Sequence, residues 1–183
     1  MKLRNLPPNV LTIRKALPRA VCEGIIEHFK HSEHLEEVDN GGKPTFTQLN
    51  LNVHHGDMVK PLSKYVMNVY NDYRKREAVL QKFLPTKFLL EEFRVKRYNA
   101  YSEDRFDAHI DVGGQESLPR FLSFLFYLND DFSGGETHFI GHDSVIPEQG
   151  KVLVFPPYWT HPHAGCPVTD GKKYIMSTYL HFE

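Results

Sequence analysis

Phe106-Asp107-Ala108-His109-Ile110-Asp111 is the stretch on which the fold turns, because its last three residues are answered further along by His161-Pro162-His163 and, ten positions past His163, by Lys173. Residues i and i+2 of a β-strand project from the same face, so His109 and Asp111 are expected to grip one metal ion from one strand. Imidazole and carboxylate together suit a borderline divalent ion, and two histidines with one carboxylate on one face of an octahedron leave its other positions open to ligands. A lone His-x-Asp triplet is weak evidence, since a solvated surface pair reads the same way. The neighbouring sequence has to decide.

Upstream of the triplet lies Val95-Lys96-Arg97-Tyr98, followed by a polar turn. Downstream comes Phe121-Leu122-Ser123-Phe124-Leu125-Phe126-Tyr127-Leu128-Asn129, an apolar strand stopped by Asp130-Asp131 and by Ser133-Gly134-Gly135-Glu136-Thr137. Gly150-Lys151-Val152-Leu153-Val154-Phe155-Pro156-Pro157 follows, then His163-Ala164-Gly165-Cys166-Pro167-Val168 and Gly171-Lys172-Lys173-Tyr174. This order closely resembles the 2-oxoglutarate and Fe(II)-dependent dioxygenases, specifically the prolyl 4-hydroxylase-like branch. The resemblance spans roughly residues 93 to 182, and more weakly the N-terminal helices. Several blocks in one order are far more specific than any one of them.

The periodicity changes once along the chain. Val10 to Ile13 reads as a short strand, Pro18 to His31 as a helix with Val21, Ile25, Ile26 and Phe29 on its apolar stripe, and Asp57 to Phe83 as one longer helix. Between the helices, 39–44 is a turn signal and Phe46 to Val53 is strand-like. After Pro85 the pattern is β: Phe88 to Tyr98, Arg120 to Asn129, Glu136 to Ile140, Lys151 to Phe155 and Lys173 to Phe182. The expected fold is therefore mainly β with N-terminal helices (α+β): a double-stranded β-helix, the cupin-like jelly roll, buttressed by two or more helices. One domain over 1–183 is expected, with 1–85 as helical support and lid region and 86–183 as the jelly-roll core.

Composition narrows the function classes. Lys+Arg 22 against Asp+Glu 23 gives a formal charge of −1, without the basic footprint of a general nucleic-acid binder. No segment has the apolar run of a signal peptide or a membrane span. Two cysteines, Cys22 and Cys166, make no disulfide framework and suit a reducing compartment, so the expected location is cytoplasmic.

The resemblance implies Fe(II) held by His109, Asp111 and His163. His161 has the same strand parity, so period alone leaves it open as the distal ligand, and the family spacing to Lys173 favours His163. Lys173 shares a strand face with Ile175, Ser177 and Tyr179 and is expected to meet the far carboxylate of 2-oxoglutarate, whose burial without a cation would be costly. The resemblance carries Tyr98 and Tyr127 onto positions that contact the cosubstrate. It further implies O2 as cosubstrate, ascorbate as reductant, and hydroxylation of an unactivated C–H bond with release of succinate and carbon dioxide.

Phe106 departs from the pattern, standing where relatives often carry tyrosine. Trp159 and His161 are expected toward the pocket mouth, His54, His55 and His138 are weaker candidates for its entrance, and 39–56 for a lid. The leading substrate is a prolyl or other residue of a protein or peptide. The alternatives are a free amino acid or small metabolite, or a cupin-type metal-binding protein or isomerase that is no oxygenase.

Overall fold

The apolar runs after Pro85 pair with one another at the centre of a large antiparallel sheet, and helices from the first half of the chain cover its back. A computed structural model describes residues 5–39, 45–102 and 104–183. The expected turn at 39–44 falls on residues 40–44, outside the described residues, apart from Asp39. In chain order the elements are β1 (Leu11–Ile13), α1 (Arg19–His31), β2 (Glu36–Asp39), β3 (Thr45–Asn50), α2 (Leu51–His54), α3 (Gly56–Lys75), α4 (Ala78–Phe83), β4 (Leu89–Leu90) and β5 (Arg94–Asn99). They continue with β6 (Phe106–His109), a 3-10 turn (Gln115–Ser117), β7 (Arg120–Tyr127), β8 (Ser133–Gly134), β9 (Thr137–Phe139), β10 (Ser144–Val145), β11 (Val152–Phe155), β12 (His163–Gly165), β13 (Val168–Asp170) and β14 (Lys172–His181).

The major sheet runs β1-β11-β7-β14-β5-β3-β2, with β4 added to β14, and the minor sheet runs β10-β9-β12-β6. Two antiparallel sheets facing each other make the jelly roll, and the strand alternation explains its two cores. Tyr174, Met176 and Leu180 of β14 point to the helices and join Ile25, Phe29, Leu62, Val66, Tyr70 and Tyr73 in one buried cluster. The opposite face of the major sheet contributes Tyr98, Tyr127, Leu153, Phe155 and Ile175 to a second cluster with Phe139 and Val145 of the minor sheet. Burying about 25 cal/mol per Å² of apolar surface on both faces fixes the register, because a one-residue slip would exchange the faces.

Several boundaries differ from the sequence reading. The helix expected over Asp57 to Phe83 is two helices, because the apolar repeat ends at Tyr73 and Glu77 is extended. The chain folds back there, tied by Tyr70 Oη donating to Pro85 O (2.6 Å) and Arg74 Nη2 donating to Gln81 O (3.2 Å). The strand expected over Phe46 to Val53 stops at Asn50, whose side chain accepts from Asn52 N (3.0 Å) and starts α2. The strand expected over Phe88 to Tyr98 is interrupted, since Glu91 to Phe93 leave the ladder between β4 and β5. Most of the described lid region is likewise sheet: β3 pairs with both β2 and β5, so it is a wall.

Candidate metal centre

β12 lies between β9 and β6 and places His163 directly opposite His109. β6 ends at His109, so Asp111 lies just past the strand rather than on it. The chain after Ile110 is instead pinned by its main chain, with Val112 N donating to Pro157 O (3.0 Å) and Arg120 Nη1 donating to Asp111 O (2.9 Å). That anchor delivers the carboxylate to the same place. Asp111 Oδ1 stands 3.5 Å from His109 Nε2 and 3.9 Å from His163 Nε2, and one ligand atom from each of the three lies within 4.8 Å of the others.

Hydrogen bonding fixes which imidazole nitrogens face inward. His109 Nδ1 is 2.8 Å from Asp107 O and His163 Nδ1 is 3.1 Å from His161 O. A carbonyl only accepts, so both Nδ1 atoms carry protons and both Nε2 lone pairs are left toward Asp111. This is the tautomer a divalent ion needs, with the outer hydrogen bond orienting each ring. Burial pushes the Asp111 carboxyl up, but His109, His163 and Lys96 more than offset it and hold it below the usual carboxylate range. Burial pushes His163 down, toward the neutral form that ligates. The donor set thus fits a borderline divalent cation.

His161 is not brought to this cluster. Its Nε2 donates to Pro8 O (2.8 Å), and its Nδ1 is left to accept from Thr160 Oγ1 (2.8 Å), so neither nitrogen is available. The ring is buried against the N-terminal segment, away from the pocket mouth where it was expected, and Trp159 is 78% exposed and lines no part of the cavity. His138 bonds to Ser144, and His54 and His55 pack with His34 and His28, all outside the cavity as well.

One cavity between the sheets joins the triad to Lys173, and Ile175, Ser177 and Tyr179, the residues sharing the Lys173 strand face, line it with them. Lys173 Nζ donates to Gly135 O (2.6 Å) and has no carboxylate partner among the described residues. Gly135 has φ +70°, and a Cβ there would press on the lysine stem and on Phe132, so the Gly134-Gly135 turn is what admits the ammonium. Burial pulls the Lys173 pKa down to about 8. A buried cation without an anion is costly, and this one has cavity in front of it. Tyr98 lines the cavity beside it, with Lys173 Nζ 5.3 Å from its ring, and its hydroxyl makes no hydrogen bond to a described residue. Tyr127 does not line the cavity: its hydroxyl is hydrogen-bonded to Thr137 Oγ1 (2.7 Å), and Thr137 provides the surface.

Phe106 stacks flat on His109, with centroids 3.6 Å apart at 8°, so the residue that departs from the family pattern forms a wall against one ligand. The parts played by five residues escaped the sequence reading. Arg120 forms a two-pronged pair with Glu91 (2.7 and 2.6 Å), His181 Nε2 reaches the same carboxylate (2.7 Å), and Arg120 lies 3.9 Å over the Tyr179 ring. Burial, and next the charge of Asp111, drive the Tyr179 phenol far from ionising. Lys96, two residues from Tyr98 and hence on the same strand face, also enters the cavity. That parity was the available signal for Lys96, whereas nothing in the sequence links Glu91 to Arg120.

The sequence over residues 93–181 matches the model of the 2OG-Fe(II) oxygenase superfamily. A protein of Acanthamoeba polyphaga mimivirus, named "Putative prolyl 4-hydroxylase", is 32% identical over 140 residues, covering 67% of this chain. The chain spans about half of that relative's own length, 52%. Among solved structures, the viral collagen prolyl hydroxylase of Paramecium Bursaria Chlorella virus-1 in its 2OG complex superposes with TM-score 0.72, 20% identity and 96% coverage of both chains. A prolyl hydroxylase of Trichoplax adhaerens in complex with a hypoxia inducible factor peptide fragment gives TM-score 0.74, 16% identity, and coverage of 94% of this chain and 83% of that one.

Proposed function

The chain belongs to the 2OG-Fe(II) oxygenase superfamily, and on that basis we propose that it is a hydroxylase whose substrate is a prolyl or other residue of a protein or peptide. The observation that carries the reading is the single cavity with two inward Nε2 atoms and a carboxylate at one place and an unpaired, buried ammonium at another. A cupin that only bound a metal would have no use for Lys173. The relatives' names favour prolyl hydroxylation, and the peptide in the Trichoplax structure favours an extended substrate.

His109, Asp111 and His163 would hold the iron, and Lys173 would hold the far carboxylate of 2-oxoglutarate. Iron with 2-oxoglutarate and O2 supplies oxidation of an unactivated C–H bond, with succinate and carbon dioxide released. The chain's own residues do the positioning. Asp107 O and His161 O keep the two rings in one tautomer, Arg120 holds Asp111 by its carbonyl, and Lys173 neutralises the buried anion. Phe106, Phe155, Leu125 and Ile175 line the cavity with apolar surface and exclude water. Ascorbate as a reductant and a cytoplasmic setting complete the reading, the latter supported by two cysteines that are both free.

The test is Fe(II)-dependent succinate release from 2-oxoglutarate across proline-containing peptides and free amino acids, with mass analysis of the acceptor. The expected result is succinate formation matched by one added oxygen on a peptide. No Fe(II)-dependent use of 2-oxoglutarate with any acceptor would overturn the reading.

A further inference from the structure

Lys96 is the one charged residue of the cavity that has neither a metal nor a cosubstrate group to bind in the reading above. It lines the inner cavity together with the triad and Lys173, and it also lines the adjoining outer groove formed by Val38, Gln48, Arg94, Ile110 and Arg120, which Lys173 does not reach. It therefore stands where the two spaces meet, beside the metal ligands common to both. Its ammonium lies 4.9 Å over the Phe46 ring and 5.7 Å over the Phe106 ring, and Phe106 in turn is stacked on His109. Two ring faces fix the position of the charge without neutralising it.

The other cations of the groove are already satisfied. Arg94 pairs with Glu92 (2.9 Å) and Arg120 with Glu91 (2.6 Å). Lys96 has no ion pair or hydrogen bond among the described residues, and the carboxylates that favour its charged form are engaged elsewhere, Asp111 in the metal cluster and Glu91 with Arg120. Burial, with the charges of Arg94 and Arg120 nearby, pulls its pKa down to about 8, which an incoming anion would reverse. The cosubstrate already has its own cation two rungs away on the same face: Tyr98 pairs across the ladder with Lys173, and Lys96 with Ile175.

We propose that Lys96 receives a carboxylate of the substrate lying next to the C–H bond presented to the metal centre. The substrate is then an amino-acid unit carrying a negative charge close to its reacting carbon. That charge is either its own α-carboxylate, in a free or C-terminal residue, or the side chain of an adjacent Asp or Glu. This rests on the hydroxylase reading and narrows its substrate class.

The experiment uses the whole protein loaded with Mn(II), in place of iron, and 2-oxoglutarate. N-acetyl amino acids are titrated by calorimetry against their amides, and acetyl-Pro-Asp-amide against acetyl-Pro-Asn-amide, in wild type, K96M and K96Q. We expect one carboxylate-bearing series to bind about tenfold more tightly than its neutral twin in wild type. The arm that responds identifies the source of the charge. Both variants should bind the twins within twofold of each other, with unchanged affinity for 2-oxoglutarate. Equal binding of the twins by wild type, or no binding of either series, would overturn the inference, as would a loss of 2-oxoglutarate affinity in the variants. A carboxylate preference that depends on Lys96, in a protein that makes no Fe(II)-dependent use of 2-oxoglutarate with any acceptor, would instead sustain carboxylate binding at Lys96 and overturn the hydroxylase reading.

Discussion

At the scale of single residues, the two distal histidines separate cleanly. His163 keeps a free Nε2 facing Asp111, whereas both nitrogens of His161 are used by Pro8 and Thr160. His163→Ala should abolish stoichiometric Fe(II) binding and turnover together, as should Asp111→Ala, because two remaining ligands make no closed face. His161→Ala should retain both and lose stability by about 1–3 kcal/mol, the cost of unpairing buried polar groups. Metal titration beside thermal unfolding distinguishes these outcomes. Retained iron in His163→Ala would refute the ligand assignment.

Lys173 carries a second prediction at this scale. Lys173→Ala should weaken 2-oxoglutarate binding by roughly 2–5 kcal/mol, the loss expected for one partner of a buried charge pair. The sign of the pH effect follows from its pKa of about 8. Below that value the ammonium is already charged and affinity is flat. Above it, binding has to take up a proton, so affinity should fall about tenfold per pH unit. Calorimetry of 2-oxoglutarate between pH 6.5 and 9.5, each about 1.5 units from the break, reads this directly. A profile without that break would place the anion elsewhere.

At the scale of elements, the metal centre depends on a joint between β4, β7 and β14. Glu91 follows β4, Arg120 opens β7, His181 closes β14, and the Arg120 guanidinium reaches the Asp111 carbonyl. Burial pushes the Glu91 carboxyl up, but bonds from Arg120 and His181 more than compensate and leave it below its ordinary value of 4.5. A carboxylate lowered in the fold stabilises above its unfolded pKa, and that stabilisation fades as pH falls below about 4.5. Glu91→Gln should therefore flatten the acid limb of a stability–pH curve. It should also lower Fe(II) affinity about 10–100-fold, as loss of an outer hydrogen-bonding partner does. Unaltered metal affinity in that variant would leave Glu91 as a stability residue only.

What the sequence disclosed and concealed also divides by element. β14 was readable because its alternation is strict: Lys173, Ile175, Ser177 and Tyr179 all reach the cavity, while Tyr174, Met176 and Leu180 pack under the helices. The break after Tyr73 was not, since no glycine or proline marks it and the fold-back is held by the distant Pro85 and Gln81 carbonyls. β2 received no assignment from the sequence, since Glu36 and Glu37 lack an apolar alternation and instead put on an edge strand the charges that keep it from pairing further. Asp111 reached its place by a tertiary anchor rather than by strand parity, which the i, i+2 rule could not have supplied.

At the scale of the whole molecule, the jelly roll brings residues 98, 109, 111, 163 and 173 to one interior because its two sheets face each other across a single gap. The order of sequence blocks made this fold and its triad legible. The pairing of Lys96 with Phe46 and Phe106 was not, since it requires β5, β3 and β6 to be in place. The central claim is that the triad and Lys173 form one oxygenase site. It is tested most directly by succinate release in wild type, His163→Ala and Lys173→Ala, with Fe(II) and a peptide panel at saturating and at low 2-oxoglutarate. The account predicts turnover in wild type, none in His163→Ala at any concentration, and activity in Lys173→Ala that returns only as 2-oxoglutarate is raised. Equal turnover in all three proteins would contradict it.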